Sequence, residues 1–139
     1  MKILFLCVAN SARSQLAEGL ARQIFPTDEI QSAGSHPGKL NPFAVQVMKE
    51  RGFDISKHFS KAIEGLSLSF LAGLDYAITL CAEEVCPVLT SRIAKKLHWP
   101  FPDPATTETL SDDVLLERFR EARDGIEAQI LKFKRELGQ

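Results

Sequence analysis

The chain has almost no charge imbalance, only three cysteines and three histidines, one tyrosine, one tryptophan, and no long apolar run. Its 17 lysines and arginines face 18 aspartates and glutamates, a formal net charge of −1. With no basic surplus to displace counterions, the composition argues against nucleic acid as a partner, so any anion site has to be local. No apolar stretch approaches the roughly 20 residues that a membrane-spanning helix needs, so no membrane partner is expected. The chain passes from Met1-Lys2 straight into a strand-like run without a small-residue cleavage site, which points to the cytoplasm. His36, His58 and His98 show no ligand spacing to the cysteines, so no metal is expected there, and no cofactor either. An odd number of thiols in a reducing compartment is more often catalytic or redox-active than structural.

What is present suffices for one domain over residues 1–139: 45% of the residues are hydrophobic and 25% charged. The pattern predicts a buried strand over about residues 2–8, a helix from about 13 to 25 ended by Pro26, and a short strand from Ile30 to Ala33 stopped by Gly34. Asn41-Pro42 reads as an N-cap with proline at the first helical position, and Gly52 closes that helix. A polar loop over 54–61 leads to a helix from about 62 to 72. Strands follow at Asp75–Leu80 and about Lys96–Trp99, and a long amphipathic helix runs from Ser111 to about Leu137. Alternating strands and helices imply an α/β fold, a four-stranded parallel sheet with helices on both faces, which binds ligands at the carboxyl ends of its strands. Cys7, Cys81 and Asp103 are expected at that edge.

The chemistry concentrates in Cys7-Val8-Ala9-Asn10-Ser11-Ala12-Arg13-Ser14, between the first strand and the first helix. A loop that ends at a helix N-terminus gathers unpaired backbone N–H groups, which receive a tetrahedral oxyanion. A helix N-terminus and a guanidinium beside a thiol favour the nucleophilic thiolate. The oxyanion-binding set is therefore Val8, Ala9, Asn10, Ser11, Ala12, Arg13 and Ser14, with Cys7 as nucleophile toward phosphate or arsenate. Asn10 is expected to take a left-handed conformation or to hydrogen-bond its neighbours, and Ser14 to donate to the Cys7 sulfur. Cys81 closes the third strand as Cys7 closes the first. If the four residues between Cys81 and Cys86 were helical, the two Cα atoms would stand about 8.6 Å apart. No disulfide spans that, so this segment is expected to be a loop or a helix that unwinds on oxidation.

Together with Gln15-Leu16-Ala17-Glu18-Gly19, Ser32-Ala33-Gly34, Thr79-Leu80-Cys81 and His98-Trp99-Pro100-Phe101-Pro102-Asp103-Pro104-Ala105, the loop resembles the arsenate reductases built on the low-molecular-weight protein tyrosine phosphatase fold. The resemblance covers nearly the whole chain. It implies a nucleophilic Cys7, Arg13 on the oxyanion, Asp103 giving a proton to the departing oxygen, and a relay through Cys81 and Cys86 that turns arsenate into arsenite. Thioredoxin, or glutaredoxin with glutathione, would then restore the thiols. A low-molecular-weight tyrosine phosphatase using Cys7, Arg13 and Asp103, and a non-turnover oxyanion or redox sensor, are the alternatives.

The chain departs from the family pattern at several points. Ala9 stands where glycine is usual, Ala12 replaces a second loop cysteine, and Cys81 and Cys86 lie closer together than in thioredoxin-coupled members. Some members hold a potassium ion with residues matching Asn10, Glu18 and Ser32, helped by a threonine and an aspartate. Phe59 and Lys61 stand in those last two places here, so no strong potassium site is expected, and Lys61 is a candidate to reach Glu18 instead.

Overall fold

In a computed structural model, which describes residues 1–82, 87, 89, 94–105 and 109–139, the elements are β1 (Lys2–Cys7), α1 (Arg13–Ile24), β2 (Glu29–Gly34), α2 (Pro42–Lys49), a 3₁₀ turn (Ile63–Gly65), α3 (Leu68–Ala72), β3 (Tyr76–Thr79), β4 (Lys95–His98) and α4 (Asp112–Glu136). All three strand pairings are parallel and the order is β2-β1-β3-β4. Strand β1 lies inside the sheet, and its side chains alternate between two cores. Ile3 and Phe5 join α1, α2 and α4 in the larger one, while Leu4 and Leu6 meet Leu66, Phe70 and Leu74 in the smaller. Both faces are therefore covered, which is why β1 reads as a continuous apolar run.

α2 and α4 begin where the sequence places their caps, and α3 begins at a serine cap of its own. Asn41 Oδ1 accepts from Phe43 N, Ser67 Oγ from Phe70 N and Ser111 Oγ from Val114 N. Asp112 and Asp113 add negative charge to the first turn of α4. That helix buries Phe119, Ala122, Ile126, Ile130 and Phe133 at helical spacing. Its buried Arg123 donates to the Val47 carbonyl and to Glu50, tying α4 to the end of α2. Hydrogen bonds from Arg120 and then Arg123 outweigh what burial does and lower the Glu50 pKa to about 2. The rings of Tyr76 and Trp99 both stack edge-on against Phe133, which assigns these two aromatics to packing.

One predicted element is corrected. The helix expected over 62–72 is two short pieces, because Leu66 turns into an extended conformation (φ −80°, ψ 148°) to bury its side chain in the smaller core. Ser67 then caps a fresh start for α3. Strand β4 lies one residue earlier than expected, although Trp99 N still donates to Thr79 O and extends the ladder.

The topology sets up the carboxyl edge of the sheet. Cys7 is the last residue of β1, and the neighbouring β3 leads into Leu80 and Cys81, with Leu80 N donating to Leu6 O. Phe101 N donates in turn to Leu80 O and brings the proline-rich loop over the same edge.

Candidate functional site

A peptide loop turns its N–H groups inward only if its carbonyls find partners outside. Here each carbonyl from Val8 to Ala12 has one. His36 N donates to Val8 O, Gly38 N to Ala9 O, Asn41 N to Ser11 O and Leu16 N to Ala12 O, all at 2.9 Å. Asn10 O accepts from Ser60 Oγ at 2.7 Å and from Gln15 Nε2 at 3.2 Å. Among the described residues none accepts a hydrogen bond from the loop N–H groups of Val8 to Ala12. Ala12, at the N-cap of α1, has no side chain to cap the helix, so the first-turn donors stay available.

Two backbone features permit this arrangement. Asn10 takes φ 50°, the only positive value of a non-glycine residue among those described, which is why Ala9 is tolerated beside it. Gly34 ends β2 directly against the loop: a Cβ there would lie 2.3 Å from Val8 O. No other residue type fits.

Behind the loop runs a chain of buried side chains whose direction is fixed from Asn10 to Glu18. Ser32 Oγ donates to Glu18 Oε1 at 2.8 Å and accepts from Asn10 Nδ2 at 2.9 Å. The second amide hydrogen of Asn10 goes to Ser14 Oγ at 2.7 Å. Ser14 Oγ lies 2.8 Å from the Cys7 sulfur, and its hydroxyl is the donor when that sulfur is a thiolate. Asn10 Oδ1 faces Lys61 N and Gln15 Nε2, which settles the orientation of its amide. The Cys7 thiol is thus wired to the carboxylate of Glu18.

Glu18 is 1% exposed, and a carboxylate at that depth needs compensating charge. Lys61 Nζ lies 3.4 Å from Oε1; Arg22 Nη2 and His58 Nδ1 each lie 3.3 Å from Oε2. The cluster does not fit a bound potassium ion, because an ammonium already occupies the carboxylate and Asn10 and Ser32 are hydrogen-bonded to one another. His58 Nδ1 also meets Gln15 Oε1 at 3.1 Å. Both neighbours are acceptors, so neutral His58 carries its proton on Nδ1. Burial lowers its pKa, with Arg22 and Lys61 acting the same way and Glu18 and Asp54 opposing.

Arg13 is 4% exposed and anchored by Nη1, which donates to Phe101 O at 3.0 Å. Its Nη2 stands 3.9 Å from Asp103 Oδ2. The other oxygen of Asp103 accepts from Ala105 N at 3.0 Å, a turn that holds the carboxyl in place while leaving it half exposed. Cys81 is 1% exposed beside β1. Cys86, and the expectation that residues 82–85 form a loop or an unwinding helix, lie outside the described residues except for Ala82. Sequence reasoning assigned no role to Gln15, His58, Ser60 or the close approach at Gly34.

The depressed pKa of His58 carries a testable sign. Its contribution to stability is complete above the ordinary histidine value of about 6.5 and is lost as pH falls toward the folded value. Urea midpoints of the wild type should therefore drop more steeply between about pH 7 and 5 than those of His58→Gln, which keeps an amide donor without a titration. Parallel slopes would mean that His58 titrates as it does in the unfolded chain.

The family model for low molecular weight phosphotyrosine protein phosphatase matches residues 2–139. An arsenate reductase of Shouchella clausii is 41% identical over 134 residues, covering 94% of this chain and 93% of that one. Arsenate reductase 1 of Staphylococcus saprophyticus is 40% identical over 135 residues, 95% of each chain. A solved arsenate reductase in the phosphate binding state shares the fold with a TM-score of 0.74 and 29% identity, over 96% of both chains. A cysteine loop with outward carbonyls, an arginine and an aspartate at one sheet edge, and a match over nearly the whole sequence agree: the chain belongs to the low molecular weight phosphotyrosine protein phosphatase family.

Proposed function

We propose that this protein is a cytoplasmic arsenate reductase that works through Cys7, Cys81 and Cys86. The observation that supports it best is the second buried cysteine. Strands β1 and β3 are neighbours, and they deliver Cys7 and Cys81 to the same edge of the sheet. Hydrolysis of a phosphate ester has no task for that thiol, whereas a two-electron reduction needs it. The names of the relatives point the same way.

Arsenate settles on the N–H groups of Val8 to Ser14 and on Arg13. Cys7, with Ser14 donating to its sulfur, attacks arsenic, and Asp103 gives a proton to the oxygen that leaves as water. Cys81 then attacks the Cys7 sulfur. The sulfur–arsenic bond breaks, its electron pair stays on arsenic, arsenite departs, and a Cys7–Cys81 disulfide remains. Cys86 attacks Cys81 in its turn, frees Cys7, and leaves a disulfide for a thioredoxin-type dithiol, or glutaredoxin with glutathione, to reduce. Lys61 supplies the positive charge at Glu18 that a potassium ion supplies elsewhere in the family.

Single-turnover reactions with peptide mapping test the relay. Cys86→Ser is expected to release one arsenite and stop as the Cys7–Cys81 disulfide, and Cys81→Ser to release none. Sustained turnover of Cys86→Ser with thioredoxin would remove Cys86 from the mechanism.

Replacing Asp103 by asparagine should slow the chemical step by roughly a hundredfold or more while phosphate binding stays nearly intact. An unchanged single-turnover rate would leave Asp103 as a turn residue.

Activity and melting temperature of the wild type are expected to be equal in potassium and sodium at matched ionic strength. Lys61→Asp should acquire a preference for potassium. A potassium-specific gain in the wild type would refute the substitution of ammonium for ion.

A further inference from the structure

Glycine in the middle of a helix is unfavourable relative to alanine. Gly125 nevertheless sits halfway along α4. A Cβ at this position would lie 3.0 Å from Cε1 and 3.7 Å from Cδ1 of Phe101. The bare backbone is what lets the edge of that ring reach the helix. Phe101 is also the residue whose carbonyl holds Arg13 Nη1 at 3.0 Å and whose N–H is bound to Leu80 O at 3.1 Å. Three elements thus meet at one residue: the end of β3, the arginine of α1 and the face of α4.

We propose that Gly125 is a positioning residue for the oxyanion site, seating Phe101 on α4 so that its carbonyl fixes the Arg13 guanidinium and the loop bearing Asp103. Beyond Phe101 the loop stands away from the helix. A cleft of about 380 Å³ separates Pro102 and Asp103 from Arg118, Glu121 and Ala122. The cleft lies on the helix side, so beyond Phe101 the loop is not pinned to α4 and follows a displacement of that residue. Proline on both sides of Asp103 passes the displacement on without bending. A methyl at position 125 forces the ring back by a few tenths of an ångström, and with it the carbonyl to which Arg13 is bound.

The inference rests on Arg13 being the oxyanion ligand, and the experiment separates the two. Inorganic phosphate is the probe, titrated calorimetrically into the full chain, so that no turnover is required. Gly125→Ala is expected to weaken phosphate binding about three- to tenfold, the scale on which small misplacements act, with the melting temperature kept or raised by the better helix former. Phe101→Leu, which removes the ring edge and leaves the helix untouched, should weaken it as well. The double variant should recover to within about twofold of the wild type, because the smaller side chain accommodates the methyl. A purely structural role for Gly125 predicts a lower melting temperature and unchanged phosphate affinity, and that result overturns the proposal. So does simple additivity in the double variant. If Arg13→Lys also binds phosphate like the wild type, the oxyanion reading falls and the proposal with it; a loss in Arg13→Lys without one in Gly125→Ala overturns the proposal alone.

Discussion

The loop between β1 and α1 presents donors to an anion only because every one of its carbonyls is held from behind. An unpaired buried carbonyl costs about 1–3 kcal/mol, so five of them left alone would turn the loop over or unfold it. The partners come from three different stretches: 36–41 after β2, Ser60 before the 3₁₀ turn, and the first turn of α1. The anion site is accordingly a property of the whole domain. Its shape is set by hydrogen bonds on the side that the substrate never touches.

Glu18 shows how a charge at this depth is made tolerable. Three cationic or titratable groups face one carboxylate, and Ser32, Asn10 and Ser14 link it to Cys7 by hydrogen bonds. A buried charge without partners is ruled out on energetic grounds, and a satisfied network of this kind holds a single arrangement. That single arrangement holds the Ser14 hydroxyl against the Cys7 sulfur. Keeping His58 neutral belongs to the same balance, since a third full positive charge would crowd Lys61 and Arg22.

Local chemistry made much of this legible beforehand. The apolar run of β1, the caps at Asn41 and Ser111, the stripe of α4 and the loop from Cys7 to Ser14 are patterns that neighbouring residues enforce on one another. Asn10 was legible as a left-handed residue because few side chains tolerate that conformation. What stayed hidden depends on distant partners. Leu66 breaks a helical stretch to reach a core that the sequence does not display, and Gly34 looks like an ordinary strand terminator until Val8 O is placed against it. Gln15 and Ser60 are polar residues of no particular pattern, and they matter only because both end on Asn10.

The order of the strands has a bearing on how the site comes into being during synthesis. Chains emerge from the N-terminus at about 5–20 residues per second, and long-range pairings form late. Strand β1 is made first but sits inside the sheet, and its β3 neighbour lies more than 70 residues downstream. Asn10 finds its last partners at Ser60 and Lys61, and Arg13 finds its carbonyl at Phe101. A growing chain that has displayed Cys7 therefore lacks the partners of its loop for most of translation, and the thiol, the inward-facing N–H groups and the anchored Arg13 are put together only after Phe101 has been made.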